Sequence, residues 1–379
     1  MPNLHALRYW NFAPERRTLP AAAATVGVGA AVEAGVIVEA VRLVVSPVPK
    51  LAPRNVRRSS ELGIGAPRVY SFHVHRIVLV SVALIFTGCS SPQRTTSPTG
   101  PLLMFSTESI IMGCQSQIKV WSSDEEAAFA AMRAAWEGVN ELEMVLSDWN
   151  PQAEVAQLNT QGKLKISTNL LHAAQTARTL TRSTGGRFDF EKGGLFFAWR
   201  EHRRRGQLLD PVEAQRLALL PPARINQDGV AELAPGNRWD FGGIGKGMAA
   251  DLAGEILRSR GITHFQVDCS GDLLVGKALE PNSDWFIATE IEGLTIRVPS
   301  NHAVACSGDA NQFVLKDGVR YSHIIDPRSG QAIPNQSLTF VVAPTATSAD
   351  AWATACSVDP KKIPPRGITF IPAAPRFVP

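Results

Sequence analysis

The sequence predicts an α+β protein on two observations. Apolar residues recur at helical spacing in long segments up to Arg260, whereas short alternating runs dominate from His264 onward. Helices and strands segregated in this way argue against the βαβ alternation of a parallel sheet. With 379 residues, 45% of them hydrophobic, the chain can bury a sizeable core in one or two domains.

Taken in order, Ile118-Lys119-Val120-Trp121 alternates as a strand. Asp124 suits the N-cap of a helix over Glu125–Leu146, where Phe129, Met132, Trp136, Val139 and Leu142 share one face. Asn150-Pro151 turns the chain. Further helices are predicted at Leu170–Ser183, stopped by Gly185-Gly186, at Pro211–Leu220, and at Met248–Arg260, stopped by Gly261. Between them, Arg187–Trp199 is an apolar segment interrupted by glycine. Strands then follow at His264–Asp268, Leu273–Val275, Trp285–Thr289, Thr295–Val298, Gln312–Leu315 and Leu338–Val342. Gly271-Asp272, Gly308-Asp309 and Asp317-Gly318 supply turns among them.

The amino-terminal region does not share this patterning. Residues 1–73 read as an extension foreign to the mature protein, with translation expected to begin at Val74. His75-Arg76, the apolar run Ile77–Phe86 and Thr87-Gly88-Cys89 then make residues 74–88 a secretory signal too short to span a bilayer. A small residue followed by Cys89 resembles a bacterial lipoprotein signal, so Cys89 is the expected lipid-bearing residue and the location a periplasmic membrane surface. Residues 89–105, rich in Ser, Thr and Pro, form the expected tether. Cys114, Cys269, Cys306 and Cys356 show no metal-type spacing and read as small buried residues. The net charge of +4 does not mark a nucleic-acid surface, and Arg203-Arg204-Arg205 reads as a solvated face.

Three segments carry chemistry. Asp240-Phe241-Gly242-Gly243-Ile244-Gly245-Lys246-Gly247 precedes a helix, where glycines let backbone approach a ligand and the helix start favours phosphate. It is no Walker A loop, and its match to a dinucleotide fingerprint lacks a preceding buried strand. In His323-Ile324-Ile325-Asp326-Pro327, proline ends the element and leaves two polar side chains near its end. If Ser348–Thr354 opens a helix, Asp350 and Thr354 stand one turn apart, a hard-oxygen pair suited to Mg²⁺. Each segment alone also has an ordinary structural reading as a turn, cap or satisfied pair.

Together they resemble the ApbE-type FAD:protein FMN transferases, over residues 106–359. The landmarks are Met112-Gly113, Leu146-Ser147 with Trp149 and Pro151, Gly186 with Phe188-Asp189, and Asp240–Gly247. Ser270-Gly271-Asp272, Ser307-Gly308-Asp309, His323–Gly330 and Ala349-Asp350 through Thr354 continue the series. The resemblance implies a two-lobed mixed-sheet α+β fold with FAD in a cleft between the lobes. It also implies transfer of FMN, aided by Mg²⁺, to a threonine hydroxyl of an exported flavoprotein. By motif, Met112, Trp149, Arg187, Phe188, Asp189, Asp240, Lys246 and the backbone of Ile325 would line the FAD site. Asp350, Thr354 and the Gly243 carbonyl would hold Mg²⁺, with Ala353 where some members carry a further carboxylate. His323 would act as general base, oriented by Asp326.

Residues 360–379 depart from that pattern. Proline at this density is expected to prevent the closing helix and strand, leaving a divergent tail. Three other functions follow from the same residues: a pyrophosphatase splitting FAD to FMN and AMP, an inactive flavin-binding lipoprotein, and a nicotinamide dehydrogenase on the Gly245–Ala250 fingerprint.

Overall fold

A computed structural model describes residues 100–373 except positions 290, 309–311 and 335–337. The signal segment, Cys89 and most of the proposed tether lie outside the described residues. The chain opens with the hairpin β1 (Leu103–Ile111) and β2 (Cys114–Ser122), followed by the long helix α1 (Glu125–Leu146). Asp124 caps α1 through a bond from the Ala127 N–H, as its position predicts. A mostly helical stretch follows: α2 (Glu154–Gln161), β3 (Lys163–Lys165), α3 (Thr168–Ser183), a short 3₁₀ turn at Phe190–Lys192, α4 (Gly193–Arg204) and α5 (Pro211–Ala218). Strands β4 (Arg224–Ile225) and β5 (Val230–Glu232) join β3 in a small sheet. Helix α6 (Gly245–Ser259) leads to β6 (His264–Cys269) and β7 (Asp272–Val275). Next come the hairpin β8 (Trp285–Ala288) and β9 (Thr295–Val298), then β10 (Ala303–Ser307) and the hairpin β11 (Phe313–Lys316) and β12 (Val319–Ser322). The chain then runs through β13 (Leu338–Ala343), α7 (Ala346–Val358) and β14 (Thr369–Ala373).

The main sheet has the order β1-β2-β6-β7-β10-β13-β14, and its described pairings are all antiparallel. That removes the dinucleotide-binding reading, which needs parallel strands and a strand feeding α6. Helices α1, α6 and α7 cover one face. Leu274 of β7 joins their core, with Met132, Ala253, Leu257 and Trp352, whereas its neighbours Leu273 and Val275 pack on the other face with Ile287, Ile296 and Val298. The two-residue period of a strand thus feeds two cores, which is why this segment reads as unbroken apolar sequence. Each fully buried aliphatic side chain here contributes about 1.5–3 kcal/mol of transfer free energy.

Two expectations are corrected. The segment assigned to the tether ends in a strand, because Leu103, Met104 and Phe105 belong to β1 and pair with Ser122, Trp121 and Val120. β1 lies at the sheet edge with much of its surface exposed, so it lacks the apolar alternation that marks a buried strand. The closing strand also forms despite the prolines: β14 pairs antiparallel with β13, and Pro372 lies opposite Thr339. Pro372 is tolerated because β14 is the other edge of the sheet, where half the backbone donors have no ladder partner to lose. Among the described residues no helix is long and apolar enough to cross a membrane. The four described cysteines form no disulfide.

Candidate active site

The floor of the site is made by the β1–β2 hairpin tip and the start of α6, with the β6–β7 tip next to the first. At the β1–β2 turn Met112 and Gly113 have φ of 51° and 74°; at the β6–β7 turn Ser270 and Gly271 have φ of 55° and 96°. Paired positive φ values are the two-residue turns that match strand twist. Since β2 pairs with β6, with Ser116 opposite Cys269, the tips sit side by side. Met112 reaches over α6, its sulfur 3.2 Å from where a Cβ on Gly245 would stand.

Lys246, the second residue of α6, forms an ion pair with Asp272, the first residue of β7. Asp272 is fully buried, and the lysine reaches toward the cleft with 26% of its side chain exposed. Burial alone would lower the Lys246 pKa; Asp272 and Asp350 outweigh it and hold the ammonium above its ordinary value. Burial, with Asp350 nearby, pushes the Asp272 carboxyl well above the usual range.

The glycines around Lys246 serve close packing. A side chain on Gly247 would collide with the Ala346 carbonyl and come within 2.8 Å of the Thr347 Cα. This contact seats α6 against the start of α7. The Asp251 carboxylate completes the lock, accepting from the Ala346 and Thr347 N–H groups at 2.8 and 2.9 Å. Asp350, 5% exposed, accepts from the Gly247 N–H at 3.2 Å, and Thr354 follows one turn later. The Thr354 hydroxyl lies 3.5 Å from where a Cβ on Gly243 would stand. The start of α6 thus sits against Asp350 through Gly247 and against Thr354 through the Gly243 turn. Among the described residues no group of three or more His, Cys, Asp and Glu could hold a metal ion. A cation here would rest on one or two carboxylates plus neutral oxygens and water, a donor set that fits Mg²⁺. The buried Asp272 Oδ1, which has no hydrogen-bond donor, adds a further oxygen beside it.

Above this floor opens a cleft of about 940 Å³. Met112, Arg187, Phe188, Asp189, Asp240 and Lys246 all line it. Trp149, Gly243, His323, Ile325 and Thr354 line it too. Phe188 is buried against Gly243. Asp189 caps the 3₁₀ turn, and its burial raises its pKa. Ile325 forms an antiparallel bridge with Ala332. Trp149 is 70% exposed, with the guanidinium carbons of Arg200 and Arg204 at 5.7 and 6.0 Å from its ring centre.

One assigned role changes. Asp326 does not orient His323: its two oxygens take the Arg328 backbone N–H at 3.0 Å and guanidinium at 2.9 and 2.8 Å, closing the turn to Gly330. At the His323 Nδ1 stands the carbonyl of Gln312, at 3.2 Å. A carbonyl only accepts, so Nδ1 carries the hydrogen and the lone pair of the neutral ring sits on Nε2. Arg187 keeps its place in the cleft lining and is also engaged by Asp359, at 2.8 Å.

Sequence reasoning missed the part played by four residues. Arg200 bridges Asp148 and Asp240 at 3.1 and 2.6 Å, fixing the Asp240 carboxylate that also accepts from Gly242 N–H. Burial, then Asp148, raises the Asp240 pKa against the opposing pull of Arg200. Arg203 and Arg204 line the cleft rather than a purely solvated face, and Arg203 also donates to the Gln312 side chain at 3.2 Å. Asp272 appears in a sequence landmark, but nothing local marks it as the partner of Lys246.

Fold and cleft together define an α+β enzyme with its site at the sheet end. The chain belongs to the ApbE family, whose profile matches residues 112–368. A curated relative, the FAD:protein FMN transferase of Vibrio cholerae serotype O1, is 26% identical over 301 residues, spanning 74% of this chain and 86% of the relative. The protein of that name from Treponema pallidum is 26% identical over 67% of this chain and 78% of its own. Among solved structures, the apo flavinyl transferase ApbE of Pseudomonas stutzeri superposes with a TM-score of 0.62 at 22% identity, covering 73% of this chain and 96% of that one.

Proposed function

We propose that this protein is an FAD:protein FMN transferase that moves FMN from FAD onto a threonine hydroxyl of an exported flavoprotein. The observation that carries the proposal is the convergence of Lys246, Thr354 and His323 on one cleft. In the reaction, the threonine oxygen bonds to the FMN phosphorus, the pyrophosphate P–O bond breaks, and AMP leaves with the bridging oxygen. His323 Nε2 would take the threonine proton, its ring oriented by the Gln312 carbonyl. The Lys246 ammonium, held in its charged form, would stabilise charge developing on the phosphate oxygens. Asp350, Thr354 and the Gly243 carbonyl would hold Mg²⁺, which supplies further neutralisation of the pyrophosphate when bound. Trp149, between Arg200 and Arg204, offers a flat ring for stacking at the cleft mouth. Anchoring through lipid on Cys89 at a periplasmic membrane surface is part of the same proposal, since an exported acceptor must meet its enzyme there.

The test combines the full chain, FAD, Mg²⁺ and a threonine-bearing flavoprotein domain, with the acceptor's intact mass as readout. A gain of one FMN, lost in Asp350→Ala, supports the transferase. FMN and AMP in solution without a mass gain would replace it with a pyrophosphatase. Intact FAD in every sample would leave a flavin-binding protein.

A further inference from the structure

We infer that Asp272 is a positioning residue that aims Lys246 into the cleft, an inference that rests on the proposed flavin transfer. Lys246 is the second residue of α6, at the positive end of the helix. An ammonium is disfavoured there, because the unpaired N–H groups of the first turn already carry partial positive charge. Left alone, the flexible lysine would turn to solvent. It is retained in the site by a carboxylate from another element, brought there by the β6–β7 turn with its two positive φ values.

The arrangement is poor as a device for stability. Asp272 is fully exposed to desolvation, at 0% accessibility, and one of its oxygens has no donor. A buried carboxylate so incompletely paired costs more than a well-packed apolar residue would. The neighbouring Asp350 is engaged by the Gly247 N–H and sits beside Thr354 on α7. Asp272, itself beside Asp350, therefore holds Lys246 at the same corner of the cleft as the start of α7. The lysine and the α7 oxygens can then act on the same pyrophosphate.

A double-mutant cycle tests this in the full chain, with kcat/KM for FAD and thermal unfolding measured for Asp272→Asn, Lys246→Met and the double variant. Acting through Lys246, Asp272→Asn lowers kcat/KM by about ten- to a hundredfold, the scale of a lost charged hydrogen bond. The double variant is then no worse than Lys246→Met alone. Multiplying losses, or an unchanged Asp272→Asn, overturns the inference. Should Asp272→Asn fail to fold, Asp272→Glu decides: it keeps the charge but displaces it. A folded Asp272→Glu with reduced kcat/KM supports positioning, and wild-type kcat/KM refutes it. Wild-type protein without any transfer refutes instead the functional proposal beneath it.

Discussion

Nε and Nη2 of Arg187 converge on one oxygen of Asp359, at 3.0 and 2.8 Å, joining positions 172 residues apart. The pair ties the Gly-rich turn at the cleft wall to the C-cap of α7, just before the chain leaves for β14. Hydrogen bonding from Arg187 holds the Asp359 carboxyl below its ordinary value. A depressed carboxylate pKa contributes stability that is present above the unfolded value, near 3.9, and lost as pH falls through the folded one. Asp359→Asn should therefore lower Tm by about 2–4 °C from pH 5 to 8. The gap to wild type should close below about pH 4. Thermal melts across that range check it, and a gap that persists unchanged in acid would show that the ion pair is not its source.

Gly247 is the point where α6 touches the α7 backbone. Because a Cβ there meets the Ala346 carbonyl and Thr347 Cα rather than a movable side chain, Gly247→Ala forces the two helices apart. The expected cost is about 1–3 kcal/mol in denaturant unfolding, with an unchanged m-value. A neutral result would mean that the helices separate freely and that α6–α7 packing does not define the site.

How much of this was legible depends on whether the signal is local. The helix Glu125–Leu146 was readable because its face, cap and length agree, and α7 because Asp350 and Thr354 follow cap-forming residues. The loop Asp240–Gly247 announced a close backbone approach, but not that the neighbour at Gly247 is another helix. Arg200 was invisible because its partners Asp148 and Asp240 lie 52 and 40 residues away. The Asp326 reading failed for the opposite reason: Arg328, two residues on, is a nearer donor than His323 and forms a forked ion pair. β14 was hidden because proline density argues against strands in general, while an edge position removes the objection.

His323 and Asp326 should therefore separate sharply in function. His323→Ala should lower kcat for transfer by about 10²–10⁴-fold, the usual contribution of a positioned general base, with FAD affinity nearly retained. Asp326→Asn breaks the bond to Arg328 at the turn and should change kcat by only a few-fold, while lowering Tm. Steady-state kinetics with calorimetric FAD binding distinguish them. Equal losses in kcat for both variants would restore Asp326 to the role of orienting His323.

The same logic applies to the cation. Asp350 is buried, held by the Gly247 N–H, and shares its helix with Thr354; Asp251 fixes the start of that helix from α6. If these oxygens hold Mg²⁺ against the FAD pyrophosphate, FAD should bind wild-type protein at least about tenfold more tightly with Mg²⁺ than with a chelator. In Asp350→Asn and Thr354→Val that difference should collapse, while His323→Ala keeps it. Asp251→Ala tests the support rather than the ligand: it removes a helix cap worth about 0.5–2 kcal/mol and should lower Tm. Its Mg²⁺ dependence should shrink without vanishing, because Asp350 and Thr354 remain. An Mg²⁺ effect that survives Asp350→Asn at full size would place the cation elsewhere in the cleft.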